Sequence, residues 1–284
     1  MKRLLVRGLL AAAAGFAVLA LIAAFQVTTV DVGALKRGVP ERTSMMRRRA
    51  AEATNAGQRF TVDQRWVPYE RISPLLRRAV LVAEDDAFFV HGGLDWNEIR
   101  ASARRDLEKR QVVRGGSTIT QQLAKNLYLG NERTLTRKLK EIGLALRLEQ
   151  TLSKRRIFEL YLNEIEWGDG IFGAEAAARR HFGVSALDLD PRQAALLAAV
   201  IINPRRYSPL HPSSRIERRV RMIATRLRRR GALDESQYRI MLGEAPPTAP
   251  GLFDWLWGST TDNTPVPGGD SLLTPAHADS ANGP

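Results

Sequence analysis

The sequence predicts a mainly α-helical domain preceded by one apolar transmembrane helix. Three observations carry that prediction. An uncharged run occupies the N-terminus, helix-start signatures recur between residues 73 and 238, and alternating strand patterns are scarce.

Residues 9–25 form a stretch of seventeen without a charge, dominated by Ala, Leu, Val and Phe. As a helix this run covers roughly 25 Å, near the hydrocarbon thickness of a bilayer. Val27 and Val30 extend it, so the span reads as 9–30. Lys2, Arg3 and Arg7 make residues 1–8 a basic segment, which the positive-inside rule keeps in the cytoplasm. A cleaved signal peptide needs a small-x-small site, and residues 21–26 offer only poor ones. A buried core helix is disfavoured because the run has no polar face. The expectation is a retained signal anchor with the rest of the chain outside the cytoplasm. Residues 31–57 then read as a membrane-proximal linker and 58–242 as the folded domain. Residues 243–284, rich in Pro and Gly, read as a disordered tail whose only apolar pattern is 252–257.

Within the domain, Ser73-Pro74 sets a capping hydroxyl before a proline at the first helical position. Asp95 with Glu98, Asp190 with Gln193, and Asp234 with Gln237 have capping-box spacing, and Ser153 caps a helix through Ile157, Leu160 and Tyr161. A strand is expected only weakly, at residues 58–67.

The chain has 43 Lys and Arg against 30 Asp and Glu, a formal charge of +13. Nucleic acid, anionic lipid or a phosphorylated substrate would each answer such an excess. The placement beyond a membrane, the lack of zinc-ligand spacing and the scattered arginines argue against nucleic acid. Cysteine is absent, which excludes disulfides, thiolate metal sites and a thiol nucleophile. Eight arginines fall between residues 215 and 230 beside an apolar stripe of Ile216, Val220, Ile223 and Leu227. That helix reads either as a solvated surface or as a face resting on anionic lipid.

Three stretches carry chemistry, and each has a plainer alternative. Glu84, Asp85 and Asp86 follow an apolar helix end and precede Phe88, Phe89 and His91. A carboxylate against an apolar wall has a raised pKa suited to general acid–base work, and a charged helix terminus is the plainer reading. Gly115, Gly116, Ser117, Thr118, Thr120, Gln121 and Gln122 offer hydroxyls, amides and a helix N-terminus to sugar or phosphate oxygens, or simply a well-capped helix. On the next helix, Arg133, Arg137, Lys140 and Glu141 share one face, with Leu135, Leu139, Ile142 and Leu146 on the side expected to be buried. The plainer reading there is a surface i,i+4 ion pair.

The order and spacing of these stretches resemble the peptidoglycan glycosyltransferase family. Its motif E-D-x-x-F-x-x-H-x-G is met at Glu84, Asp85, Phe88, His91 and Gly93, and G-x-S-T-x-T-Q-Q at Gly115 through Gln122. R-K-x-x-E is met at Arg137, Lys138 and Glu141, and I-L-E-x-Y-L-N at Ile157 through Asn163, with Phe158 for the usual Leu. Trp167, Gly170, Gly173, Asn203, Pro204 and Tyr207 extend the likeness, and His181 departs from the usual Tyr. The resemblance spans about residues 60 to 230 and implies a lysozyme-like helical glycosyltransferase domain.

The resemblance further implies that lipid II and an undecaprenyl-diphosphate-linked glycan are joined with inversion on the outer face of a bacterial inner membrane. It makes Glu84 the base and Glu141 the second essential glutamate. It assigns substrate contacts to Asp85, Phe88, His91, Ser117, Thr118, Gln121, Gln122, Lys125, Arg133, Arg137, Lys138 and Asn163. Relatives also admit a divalent ion such as Mg²⁺ on the diphosphate, and partners among cell-wall synthesis or division proteins. Nothing in the sequence assigns metal ligands. The transpeptidase motifs S-x-x-K and K-T-G are absent, so the chain reads as monofunctional. A glycan-cleaving relative of the same helical lobe and an inactive scaffold are the rival readings. The segment 108–116 is the expected mobile element over the groove.

Overall fold

The computed structural model describes residues 2–109, 116–130, 132 and 134–245. The expected mobile loop at 108–116 and the tail beyond 245 fall largely or wholly outside these residues. The chain runs α1 (Lys2–Thr28), α2 (Ser44–Asn55), β1 (Asp63–Gln64), α3 (Pro74–Glu84), α4 (Trp96–Lys109), α5 (Ile119–Tyr128), α6 (Leu135–Thr151) and α7 (Lys154–Glu164). It continues through β2 (Glu166–Gly168), β3 (Ile171–Phe172), α8 (Ala174–Phe182), α9 (Pro191–Val200), α10 (Ser214–Arg229) and α11 (Glu235–Leu242). The mainly helical expectation holds.

Local chemistry explains most helix starts. Asp190 with Gln193, Asp234 with Gln237, and Thr118 with Gln121 form reciprocal capping boxes at α9, α11 and α5. Ser153 caps α7 through Arg156 N, and Asp95 accepts from the backbone of Asn97 and Glu98 at the start of α4. Ser73 is the exception. It precedes Pro74 as expected, yet its side chain makes no capping bond, and its backbone N–H donates to Ala186 O at 2.9 Å. Pro74 leaves one fewer N–H to satisfy, so a hydroxyl cap matters less there.

The core lies where α7 and α9 are buried along most of their lengths, with α3, α5 and α10 packed around them. The expected strand over 58–67 shrinks to the two residues of β1. It pairs in parallel with β3, which pairs antiparallel with β2, in the order β1-β3-β2. Asn163 ties this segment to α7, donating to Val67 O and accepting from Val67 N, both at 3.0 Å. Gly173 enters α8 at φ 84°, where a Cβ would stand 2.8 Å from Asn163 O.

Residues 31–57, expected as a linker, contain α2, which packs against α5. Arg49 on α2 is buried and ion-pairs with Glu166 at 3.0 Å, with Glu52 at 2.9 Å and with Asp169. Glu52 is an i,i+3 neighbour on α2, whereas Glu166 and Asp169 lie on the β2–β3 hairpin, where no local pattern announces a pairing.

Within α1, Val6–Thr28 is long and apolar enough to cross a membrane. The helix ends at Thr28, two residues short of the expected span. Its C-terminal end docks on α6, burying Ala23 and Val27. Gly143 makes room for that approach, since a Cβ there would lie 3.1 Å from Val27 Cγ2. Arg147 then donates to Val30 O, and Arg156 to Leu35 O and Gly38 O, as the chain leaves the helix.

Docking of α1 also corrects the reading of α6. Its domain-facing side carries Glu141, Leu144, Ala145 and Leu148. Leu135 and Leu146, expected to be buried, are exposed, and Leu139 and Ile142 are only partly covered.

Glu164, fully buried at the end of α7, accepts from Gln64 Nε2 at 3.2 Å, while its Oε1 has no hydrogen-bond partner. Burial pushes its carboxyl from 4.5 up to about 7, opposed by the Gln64 bond and the charge of Arg156. The folded chain therefore holds a proton that the unfolded chain has released, and stability falls as pH rises through that window. The loss amounts to something on the order of 3 kcal/mol above the window. Glu164→Gln is expected to melt above the parent protein at pH 8 and close to it at pH 5. A melting difference independent of pH would contradict this account.

Candidate functional site

The site is built on the end of α3. Leu76, Ala79, Val80 and Val82 bury one side of that helix and bring its last residue, Glu84, to the cleft. The Glu84 side chain is 13% exposed. Its Oε2 accepts from Gln122 Nε2 at 3.1 Å and its Oε1 from Arg219 Nη2 at 3.0 Å. Gln122 is fixed in turn by the hydroxyl of buried Tyr161, which donates to Gln122 Oε1 at 3.0 Å. Burial raises the Glu84 carboxyl above its ordinary range, while Gln122, Arg219 and Lys125 pull it back.

Glu84 stands at the junction of two cavities. One, of about 440 Å³, is lined by acids including Asp86, Asp95 and Glu98, and by Arg226. The other, of about 640 Å³, is lined by Gln122, Lys125, Arg206, Tyr207, Arg215 and Arg219. Ser117 is exposed and borders both.

Lys125 projects from α5 into the basic cavity. No carboxylate among the described residues lies within ion-pairing distance of it, and burial lowers its ammonium pKa. Glu141 offsets that effect, whereas Arg137, Arg48 and Lys138 add to it. Glu141 itself is buried on α6, 3.3 Å from Arg137 Nη1 and 2.5 Å from Lys138 Nζ. The simple surface ion pair is thus replaced by a buried carboxylate gathering cations beside Lys125. Arg133, the other expected phosphate contact, lies outside the described residues.

Several expected substrate contacts are bonded or packed within the protein. Phe88 is fully buried against Phe158, closed off from either cavity. Asp85 accepts from Ile119 N at 2.9 Å and lies 3.0 Å from His91 Nε2, so it spends its oxygens on α5 and the loop. Gly93 N donates to His91 Nδ1, which places the imidazole proton on Nε2, toward Asp85. Gly93 has φ 92°, and a Cβ there would meet Glu149 Cγ at 2.9 Å. Thr118 caps α5 and donates to Gly93 O at 2.7 Å, although its residue still borders the acidic cavity. Gln121 completes the capping box and is buried, and Asn163 is fully buried on backbone partners. These residues brace the ends of α3 and α5, and of them Asp85 and Thr118 also line the acidic cavity.

Sequence reasoning missed Arg219, Arg226 and Arg230 as a group. Arg219 reaches Glu84, Arg226 Nη1 donates to Val82 O at 3.2 Å, and Arg230 pairs with Asp86. Their spacing shadows the buried stripe of Ile216, Val220, Ile223 and Leu227, displaced by one position. That offset was the available signal. α10 is therefore neither a wholly solvated helix nor simply a lipid-facing one.

Among the described residues, no group of three His, Cys, Asp or Glu side chains could hold a metal ion. A protein-built cage for Mg²⁺ does not fit the side chains described.

Residues 51–228 match the Transglycosylase family. A biosynthetic peptidoglycan transglycosylase of Nitrosomonas eutropha is 51% identical over 166 residues, covering 58% of this chain and 68% of the relative. One from Rhodospirillum centenum is 52% identical over 166 residues, covering 58% and 71%. One from Nitrosospira multiformis is 44% identical over 188 residues, covering 66% and 82%. With the family match spanning more than half of its length, the chain belongs to the transglycosylase family and is a glycosyltransferase enzyme.

Proposed function

We propose that this chain is a membrane-anchored peptidoglycan glycosyltransferase that extends glycan strands from lipid II. The observation that carries the reading is the position of Glu84 between two cavities of opposite character. Joining two sugars requires two subsites meeting at one base, and neutralising a diphosphate requires cations on the donor side. The relatives' names supply the substrate class.

In the reaction, the 4-hydroxyl of the acceptor GlcNAc attacks C1 of the donor MurNAc. A C1–O4 bond forms with inversion, the C1–O bond to undecaprenyl diphosphate breaks, and the hydroxyl proton passes to Glu84. Lys125 in the basic cavity meets the charge growing on the diphosphate, with Arg137, Lys138 and Arg133 as further cations. Glu141 orients those cations and attacks nothing. A divalent ion riding on the diphosphate would supply additional charge neutralisation. Ser117 and Gln122 offer polar groups to the sugars at the junction. A glycan-cleaving enzyme would need no basic wall of this kind.

The anchor fits the same reading. α1 crosses the inner membrane with its N-terminus in the cytoplasm and holds the domain on the periplasmic side. Both substrates are tethered to that leaflet, so anchoring raises their effective concentration. The S-x-x-K and K-T-G motifs do not occur in residues 1–284, so nothing in this sequence points to peptide cross-linking.

Incubating the full chain with labelled lipid II tests the proposal. Polymer is expected from the parent protein, and Glu84→Gln is expected to lose about a hundredfold or more. Glu141→Gln is expected to impair turnover by releasing Arg137 and Lys138. Activity in Glu84→Gln close to that of the parent would overturn the base assignment.

The pH profile supplies a second check. Activity should fall on the acid side as Glu84 is protonated, at a pH above the ordinary carboxyl value of 4.5. It should fall on the alkaline side as Lys125 loses its charge, below the ordinary 10.5. An acid limb that persists unchanged in a residual-activity Glu84 variant would assign that limb elsewhere.

A further inference from the structure

α10 lies along the end of α3 and supplies it with arginines. Arg226 donates to Val82 O, one of the carbonyls that a helix C-terminus leaves unpaired, and Arg230 pairs with Asp86 just beyond it. Arg219 is held at two points. Its Nε donates to Ala199 O at 3.1 Å near the end of α9, and its Nη2 donates to Glu84 Oε1 at 3.0 Å. The α10 backbone is pinned by Ile216, Val220, Ile223 and Leu227, all buried. The Arg219 side chain is only 20% exposed, unlike the mobile arginines of an open surface.

We propose that Arg219 is the positioning residue of Glu84, fixing the carboxylate between the two cavities and keeping it ionised for proton abstraction. The proposal rests on the reading of Glu84 as the base. Its physical basis is that Gln122 holds only one carboxylate oxygen and brings no charge. Without Arg219, the second oxygen loses its partner and the carboxylate loses its directly bonded counter-ion. The charged and titratable groups that face Glu84 are Lys125 from α5, Tyr161 from α7 and Arg219 from α10, with Asp86, Asp95, Glu98 and Arg226 lining the acidic cavity that it borders. Lys125 forms no hydrogen bond to it, and Tyr161 reaches it only through Gln122. Arg206 and Arg215 border the same basic cavity, and Asp85 adjoins Glu84 in the chain. Arg219 is the cation among these with a hydrogen bond to the carboxylate.

The test compares Arg219→Gln, Arg219→Lys and Glu84→Gln in the full chain, reading kcat, KM for lipid II and the acid limb of kcat/KM. Arg219→Gln is expected to lower kcat about tenfold or more with KM nearly unchanged, and to move the acid limb to higher pH. Arg219→Lys is expected to bring the acid limb back toward the parent position while recovering kcat only in part, since an ammonium cannot span both acceptors. If Arg219→Gln fails to fold, an Arg219→Lys profile whose kcat and acid limb both match the parent overturns the two-point role. An unmoved acid limb in Arg219→Gln, or a raised KM with kcat intact, also overturns it and makes Arg219 a substrate contact. Wild-type activity in Glu84→Gln would sink the base reading itself, independently of what the Arg219 variants do.

Discussion

An ionisable carboxylate held largely out of water needs partners, and much of this structure is arranged to give Glu84 those partners. Removing a carboxylate from solvent without hydrogen bonds or counter-ions costs several kcal/mol and ends in protonation. α5 provides Gln122 and α7 provides Tyr161 to orient it. α10 provides Arg219, and the end of α9 provides the carbonyl that steadies that arginine. Four helices far apart in sequence therefore converge on one side chain. The compensation is partial: burial still raises its pKa.

The membrane-proximal part of the chain is joined to this core by direct contacts. α1 docks on α6, the helix that carries Glu141, and Arg147 and Arg156 hold the chain leaving it. α2 is bound through Arg49 to the β2–β3 hairpin. The cation-gathering helix and the apolar helix thus share an interface. In the proposed function, that interface keeps the cleft near the leaflet that holds both lipid tails.

What the sequence made legible was local. The capping boxes of α9 and α11 and the apolar N-terminal helix follow from spacing and composition within one or two turns. Two-residue strands fall below any alternating pattern, so the small sheet was invisible apart from a weak signal near β1. The face of α6 was misjudged because it has more than one apolar side, and periodicity cannot say which meets the domain. Arg219 and Glu84 lie 135 positions apart, and no local rule joins them. Motif membership singled out Phe88, Asp85, His91, Gln121 and Asn163 without saying what each side chain touches. Burial and hydrogen bonding show that their side chains bond mainly within the protein, with Asp85 also lining the acidic cavity.

The central claim is that this site makes a glycosidic bond at the expense of a lipid diphosphate. The most direct measurement is the number of undecaprenyl diphosphates released per sugar linkage formed, using the purified full chain and lipid II. The account predicts one diphosphate released for each new linkage, with finished peptidoglycan left intact. Linkage changes without diphosphate release, or shortening of finished glycan, would contradict it.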